Sequence, residues 1–169
     1  MPANVTADTN AVIARINPEH YSHFIEHLGD CIYDGIWVGP SPPVDHTDGI
    51  RQFTLDALRG VGPAVMRWPG GCFADQYHWR DGIGDPESRP VTKNIFWGGI
   101  EPNHFGTHEF VDFCQKIQAI PYICGNVGTG SPQEMMEWLE YCNSNDNSTL
   151  VEERCANDAP EPMDIKYWG

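Results

Sequence analysis

The sequence predicts a parallel α/β fold on three observations. Short apolar runs, each ending in polar or glycine-rich sequence, are typical of buried strands. Longer segments between them repeat apolar residues every three or four positions, which is typical of amphipathic helices. The elements follow in the order strand, helix, strand, long loop, helix, strand, helix, strand. This order favours parallel strands joined by crossover helices.

The first predicted element is an N-terminal β-hairpin. Residues 3–16 alternate weakly between apolar and polar side chains, and the alternation breaks at Asp8-Thr9-Asn10. The four strands of the parallel sheet are then predicted at 23–26, 64–68, 121–126 and 165–168. The three helices are predicted at 50–59, 107–118 and 132–143. Ser131 followed by Pro132 supplies an N-cap and a first-turn proline for the last helix.

Two predicted loops are much longer than ordinary connections. Residues 69–106 follow the carboxyl end of the second predicted strand, and residues 143–164 follow a helix. Parallel α/β folds keep their sites at the carboxyl ends of strands, so the first loop is the candidate site. Gly70 and Gly71 let its backbone turn sharply and approach a ligand. The loop also contains Asp75, His78, Trp79, Phe96 and Trp97, and its aromatic side chains can stack on a flat, mostly apolar sugar face.

The composition excludes several classes of partner. The formal net charge of −14 repels phosphate backbones and anionic lipid, so we expect neither nucleic acid nor membrane as a partner. The N-terminus lacks the basic flank and apolar core of a signal peptide, which predicts a cytoplasmic protein. Secretion is the alternative, and the sequons at Asn4 and Asn147 would then be glycosylation candidates.

The six cysteines contain no CxxC pair and are expected to be reduced, and we expect no cofactor and no metal. Cys114, Cys124 and Cys142 lie in apolar patterns that predict a packing role. A zinc site is the alternative, because His20, His23 and His27 have spacings of three and four that would share a helix face. The same residues overlap a predicted strand, on which those spacings would point the side chains in different directions.

Five motifs together resemble the N-terminal third of an α-L-arabinofuranosidase of glycoside hydrolase family 51. They are FIEHLGDCIYDGIW, RWPGGCFADQYHWRDGIG, WGGIEPNHFGTHEFVDFC, PYICGNVGTG and IKYWG, and the resemblance that they carry covers nearly all of the chain. The resemblance implies a TIM (β/α)8 barrel, about the first four strands of which would lie in residues 17–169. It assigns residues 1–16 to a C-terminal β-sandwich. The 169 residues fall short of the ~250 typical of the whole barrel.

The resemblance also implies a retaining glycosidase that releases terminal non-reducing α-L-arabinofuranose from arabinoxylan, arabinan and arabino-oligosaccharides, and a homo-oligomeric whole protein. Retaining chemistry needs two carboxyl groups ~5 to 5.5 Å apart. The family places its acid/base glutamate just after the strand that ends at Gly169, and its nucleophile on the seventh barrel strand. Neither can be assigned to a residue of this sequence, so residues 1–169 alone are expected to be inactive. A non-catalytic sugar-binding fragment is the alternative.

Four positions match the substrate wall of the family. Glu26 would bind arabinose hydroxyls, against the alternative of a solvated carboxylate at the strand end. Cys72 would act through its backbone amide or pack the loop. Trp97 would line the leaving-group side or anchor its loop. Asn126 would orient the acid/base or cap its strand. Asp75, His78 and Arg80 are expected to form pairs that order the first long loop.

Overall fold

The computed structural model describes residues 2–169, which form eight short strands and four α-helices. The strands are β1 (His23–Phe24), β2 (His46–Thr47), β3 (Ile50–Arg51), β4 (Val65–Trp68), β5 (Thr92–Lys93), β6 (Ile100–Glu101), β7 (Ile120–Ile123) and β8 (Tyr167–Trp168). The helices are α1 (Gln52–Val61), α2 (Thr107–Ile117), α3 (Pro132–Asn143) and α4 (Thr149–Ala156). Four 3-10 turns lie at Pro18–Tyr21, Cys72–Gln76, Trp79–Gly82 and Pro86–Ser88.

The central sheet consists of β1, β4, β7 and β8 in that order, and every pair is parallel. Neighbouring strands in this sheet therefore follow the order of the chain, with helices between them. Doubly wound sheets reverse their strand order, whereas barrel strands follow one another in this way. The predicted α/β class and strand order are confirmed. Two antiparallel hairpins, β2–β3 and β5–β6, lie outside the sheet.

The core lies between the sheet and its helices. Trp68 of β4 is fully buried and stacks on Phe110 of α2 at 5.1 Å between ring centroids. It also meets Trp138 of α3 edge-on at 6.1 Å. Buried side chains recur on α2 at a spacing of three and four, at Phe110, Phe113, Cys114 and Ile117. Burial raises the pKa of the Cys114 thiol, as expected of a cysteine that serves as a small hydrophobe.

The helix α4 lies within residues 143–164, which the sequence pattern predicts as a loop, so that prediction is wrong. Ser148 caps this helix, and its hydroxyl accepts from the Val151 N–H at 3.5 Å. The fully buried Arg154 then fixes the segment, since its guanidinium donates to four backbone carbonyls. They belong to Tyr141, Ser144, Ala159 and Pro160. A charged residue in a short helix gives little apolar periodicity, which explains why the pattern does not indicate α4.

The N-terminal segment differs from the predicted hairpin. Residues 2–16 contain a turn, in which the Ala11 N–H donates to the Asp8 carbonyl at 3.2 Å, but they form no strand. Val12 is 79% and Ile13 100% exposed. A two-stranded hairpin that has no apolar surface to pack against is marginal in water, which accounts for the difference. The assignment of residues 1–16 to a β-sandwich stays a prediction.

Candidate functional site

The carboxyl ends of the parallel strands bring the predicted site residues to one edge of the sheet. Glu26 follows β1, the glycines Gly70 and Gly71 follow β4, and Asn126 follows β7. Gly169 follows β8, and its carbonyl accepts from the Gly125 N–H at 2.6 Å. The edge therefore has the layout in which parallel α/β folds build binding sites.

Glu26 is a buried carboxylate held by the backbone. Only 8% of its surface is exposed, and its Oε1 accepts from the N–H groups of Gly71 at 2.9 Å and Phe73 at 3.0 Å. Among residues 2–169, no side-chain hydrogen bond reaches its second oxygen, Oε2. One oxygen is thus fixed by two backbone amides, while the other has no hydrogen-bond partner among residues 2–169, and a role in binding a sugar stays a prediction. The alternative of a freely solvated carboxylate does not fit this geometry.

Gly70 is the residue that lets Glu26 occupy this place. Its φ of +151° lies in the region that favours glycine. A Cβ at this position would meet Glu26 Cγ at 2.5 Å and Oε1 at 2.7 Å. The first glycine of the Gly-Gly step is therefore required by the close approach of Glu26, and the second supplies one of the two amides that hold the carboxylate.

Cys72 lies between the two amides that bind Glu26, at the start of a 3-10 turn. Its side chain is exposed, so it does not pack the loop. The backbone next to the carboxylate is the part of this residue that lies nearest the site. A role for Cys72 in sugar binding stays a prediction.

Trp97 lies at the tip of the β5–β6 hairpin and is 43% exposed. Its backbone N–H donates to Asn94 Oδ1 at 3.0 Å. The Asn94 amide donates in turn, at 2.8 Å, to the carbonyl of His27, the residue that follows Glu26 in the chain. The hairpin thereby attaches Trp97 to the strand end that carries Glu26, while much of the indole remains open to solvent.

Asn126 uses its side chain within its own loop and the neighbouring one. Its Oδ1 accepts from the N–H groups of Gly128, Thr129 and Gly130 at 2.8 to 3.1 Å. Its amide donates to the Tyr77 carbonyl and to the Thr129 hydroxyl. This is the geometry of a loop cap, the alternative predicted for Asn126. Orientation of a catalytic acid/base by this residue stays a prediction.

A buried polar cluster of His27, Glu101 and Tyr33 is not indicated by the sequence pattern. His27 Nε2 accepts from Trp68 Nε1–H at 3.0 Å, and its Nδ1 lies 2.7 Å from Glu101 Oε2. The Tyr33 hydroxyl donates to Glu101 Oε1. Burial raises the pKa of Glu101, but hydrogen bonds from His27, Tyr33 and the Asn103 N–H outweigh it and hold the pKa below its ordinary value. Burial and the same carboxylate raise the pKa of Tyr33.

The sequence signal for this cluster is weak. His27 directly follows Glu26, and Glu101 lies in one of the five family motifs, but no local spacing connects them. Their contact depends on how the long loop 69–106 folds back over the end of β1. Loop paths of this length are not fixed by periodicity.

The histidine triad of the zinc hypothesis does not converge. His20 lies in a 3-10 turn and His23 in β1, both exposed, whereas His27 is buried against Trp68. Across residues 2–169, no group of three or more His, Cys, Asp or Glu side chains is placed to hold a metal ion. The structure gives the zinc hypothesis no support.

The charged residues of the first long loop order it, and the side-chain partners of His78 and Arg80 lie on helices. His78 Nδ1 lies 2.9 Å from Glu134 Oε1 of α3. Arg80 reaches Glu153 of α4 at 3.0 Å and Glu137 of α3 at 3.5 Å. Asp75 acts through its backbone, since its carbonyl accepts from Thr129.

In the described part of the chain, no helix has the length and apolar character needed to cross a bilayer.

Comparison with known proteins identifies the family. The family model described as the α-L-arabinofuranosidase 1 domain matches residues 57–169. An intracellular exo-α-L-arabinofuranosidase of Bacteroides ovatus is 44% identical over 168 residues, covering 99% of this chain and 33% of the relative. The α-L-arabinofuranosidase C of Emericella nidulans is 41% identical over 156 residues, covering 92% of this chain and 31% of the relative.

Solved structures give the same result. The family 51 arabinofuranosidase of Xanthomonas axonopodis pv. citri superposes with a TM-score of 0.92 at 43% identity, covering 95% of this chain and 33% of that one. The arabinose complex of the Thermotoga maritima α-L-arabinofuranosidase gives a TM-score of 0.84 at 46% identity, covering 88% of this chain and 31% of that one. The chain spans about a third of the length of the relatives it matches. It belongs to the α-L-arabinofuranosidases of glycoside hydrolase family 51.

Proposed function

We propose that the protein to which these residues belong is a retaining α-L-arabinofuranosidase. It releases terminal non-reducing α-L-arabinofuranose from arabinoxylan, arabinan and arabino-oligosaccharides. The observation that carries the proposal is the buried Glu26, which two backbone amides hold at the carboxyl edge of the sheet with one oxygen left free. A fixed acceptor of this kind binds sugar hydroxyls strongly. Its place in the chain matches the arabinose-binding glutamate of the family.

The chemistry itself requires two further carboxyl groups. In a retaining glycosidase one protonates the leaving oxygen and the other attacks the anomeric carbon. We assign both to glutamates that follow Gly169 in the whole protein, the acid/base directly after β8. The hydrogen bond between Gly169 and Gly125 supports this assignment, because it brings the end of β8 to the edge that holds Glu26. A cleft of about 350 Å³ lies beside the end of β8, with Gly125, Met135 and Gly169 among its lining residues.

The remaining roles follow from position. Glu26 accepts hydrogen bonds from the arabinose hydroxyls, the Cys72 backbone contacts the sugar, and Trp97 covers the leaving-group side. Asn126 holds its loop in place beside the end of β8. We place the protein inside the cell, as its Bacteroides ovatus relative is named, and we expect the whole protein to be a homo-oligomer.

The test compares the whole protein with residues 1–169 on 4-nitrophenyl α-L-arabinofuranoside. The whole protein is expected to cleave it and to release α-arabinofuranose first, seen by NMR before the anomers equilibrate. Residues 1–169 alone are expected to release no nitrophenol, because positioning residues cannot replace the attacking and protonating groups. A whole protein that binds arabino-oligosaccharides without cleaving them, or that inverts the anomeric centre, would contradict the proposal.

Trp97→Ala in the whole protein is expected to lower kcat/KM on arabino-oligosaccharides by roughly 10-fold or more, and on the aryl arabinofuranoside by much less. The indole contributes binding energy beyond the scissile bond, and an activated leaving group depends less on that energy. Kinetics on both substrates measure the difference. Ile95→Ala is the control, since Ile95 lies on the same hairpin, is 64% exposed and its replacement is expected to leave both kcat/KM values unchanged. Equal losses on the two substrates for Trp97→Ala would make the indole a loop anchor.

A further inference from the structure

Buried polar residues attach the hairpin that carries Trp97 to the other described residues. From residue 91 to residue 101, only Asn94 and Glu101 are buried, at 6% and 2% exposure. The apolar side chains of the same segment point into solvent, Ile95 at 64% and Ile100 at 75% exposure. Within residues 2–169, the hairpin is therefore held by two buried polar residues and not by a packed apolar face.

Both of these residues bind His27. Glu101, at the base of the hairpin, lies 2.7 Å from His27 Nδ1. Asn94, near the tip, donates to the His27 carbonyl at 2.8 Å. His27 is itself immobilised, because its Nε2 accepts from the Trp68 indole and its backbone N–H donates to the Pro69 carbonyl. The two attachment points of the hairpin thus meet at the residue that follows Glu26.

Asn94 makes a second bond that reaches Trp97. Its Oδ1 accepts from the Trp97 backbone N–H at 3.0 Å, while its own backbone N–H donates to the Gly99 carbonyl and its carbonyl accepts from Gly98. One buried amide therefore joins Trp97 on one side to the strand end of Glu26 on the other. The path from Trp97 to Glu26 runs through one side chain and one backbone carbonyl.

We propose that Asn94 is a positioning residue that sets the distance between Trp97 and Glu26, the two walls of the arabinofuranose site. The inference rests on the proposed function. Glu101 holds the base of the hairpin in place, so the loss of Asn94 releases the tip without detaching the whole segment. Asn94 touches no substrate; it acts through the backbone of Trp97 and His27.

The experiment uses Asn94→Ala and Asn94→Asp in the whole protein. Asn94→Ala removes both bonds. Asn94→Asp keeps an acceptor for the Trp97 N–H but places a carboxylate against the His27 carbonyl. It therefore removes only the bond to His27, which we call the tether. Both variants are expected to lower kcat/KM on arabino-oligosaccharides by about 10-fold or more and on the aryl arabinofuranoside by less than about threefold. Hydrogen exchange of residues 95–100 is expected to accelerate in both.

Asn143→Ala is the matched control for lost stability. Asn143 also donates its amide to a backbone carbonyl and accepts a backbone N–H, both of Ile165, at 2.8 and 2.9 Å. It is expected to lower the melting temperature without changing the ratio of the two kcat/KM values. In addition, Asn94→Ala combined with Trp97→Ala is expected to be no worse on oligosaccharides than Trp97→Ala alone, because the tether has no other indole to position.

The outcomes separate this inference from the proposed function. A wild-type protein that cleaves no arabinofuranoside overturns the proposed function, and the exchange measurement still reports whether Asn94 holds the hairpin. Unchanged exchange in both Asn94 variants, or equal losses on both substrates with an active wild type, overturns the inference alone. Where Asn94→Ala fails to fold, Asn94→Asp tests the inference. If Asn94→Asp has the wild-type ratio of the two kcat/KM values, the bond from Asn94 to His27 does not position Trp97.

Discussion

Gly70→Ala is expected to lower kcat/KM of the whole protein on 4-nitrophenyl α-L-arabinofuranoside by at least about 100-fold. The new Cβ would lie 2.5 Å from Glu26 Cγ, far inside van der Waals contact. Glu26 cannot stay in place beside it, and moving the carboxylate breaks its bonds to the Gly71 and Phe73 amides. The φ of +151° adds backbone strain of about 1 to 3 kcal/mol. Steady-state kinetics and a denaturant titration measure the two effects.

Gly62→Ala separates strain from the loss of Glu26. Gly62 ends α1 with a φ of +67°, and a Cβ there would meet no atom within 4 Å. This variant is expected to lose about 1 kcal/mol of stability, with unchanged kcat/KM. A Gly70→Ala protein whose activity follows its stability, as in this control, would show that the glycine serves the fold and not the position of Glu26.

The order of the elements and the edge that holds the site are predictable from the sequence. Strand and helix patterns indicate the parallel sheet because buried apolar residues recur at regular spacings that can be read from one sequence. The carboxyl ends of parallel strands share an edge, so the sequence alone places Glu26 and Gly70 together. The sequence predicts only one of the two reasons for the Gly-Gly step. Its sharp turn is expected, whereas the contact of Gly70 with the Glu26 side chain appears only in the folded chain.

The parts that the sequence does not predict are those fixed by polar contacts between distant segments. The helix α4 depends on the buried Arg154, and the hairpin of Trp97 depends on Asn94 and Glu101. Buried polar residues of this kind look like surface residues in a sequence, because their type predicts exposure. Asn126 shows the same difficulty in another form. Its place at a strand end is predictable, but its choice of partners, all within its own loop and the neighbouring one, is not.

Glu26→Gln is expected to lower kcat/KM by roughly 10- to 1000-fold, or about 1.4 to 4 kcal/mol of transition-state stabilisation. Glutamine keeps an Oε1 that can accept from both Gly71 and Phe73, so the side chain keeps its place. The free oxygen becomes an amide nitrogen, which cannot accept from a sugar hydroxyl. The free energy of unfolding is therefore expected to change by less than about 1 kcal/mol. Kinetics on the aryl arabinofuranoside together with a denaturant titration measure both.

Glu109→Gln is the control for removing a carboxylate charge elsewhere. Glu109 also accepts a backbone N–H, from Gly106 at 2.8 Å, but its other partner is Arg89 and not a free site. It is expected to affect stability while kcat/KM stays within about twofold. A Glu26→Gln protein with wild-type kcat/KM would remove Glu26 from the site.

Combining Gly70→Ala with Glu26→Gln tests whether the two residues act as one unit. If the alanine acts by displacing Glu26, the carboxylate no longer contributes in the Gly70→Ala protein, and its replacement by glutamine has little left to remove. The double variant is then expected to be about as active as Gly70→Ala alone, a coupling typical of residues in contact. Losses that multiply would instead mean that Gly70 shapes the site by a route independent of Glu26. The geometry argues for coupling, since the three atoms nearest to a Cβ at position 70, outside its chain neighbours, all belong to Glu26.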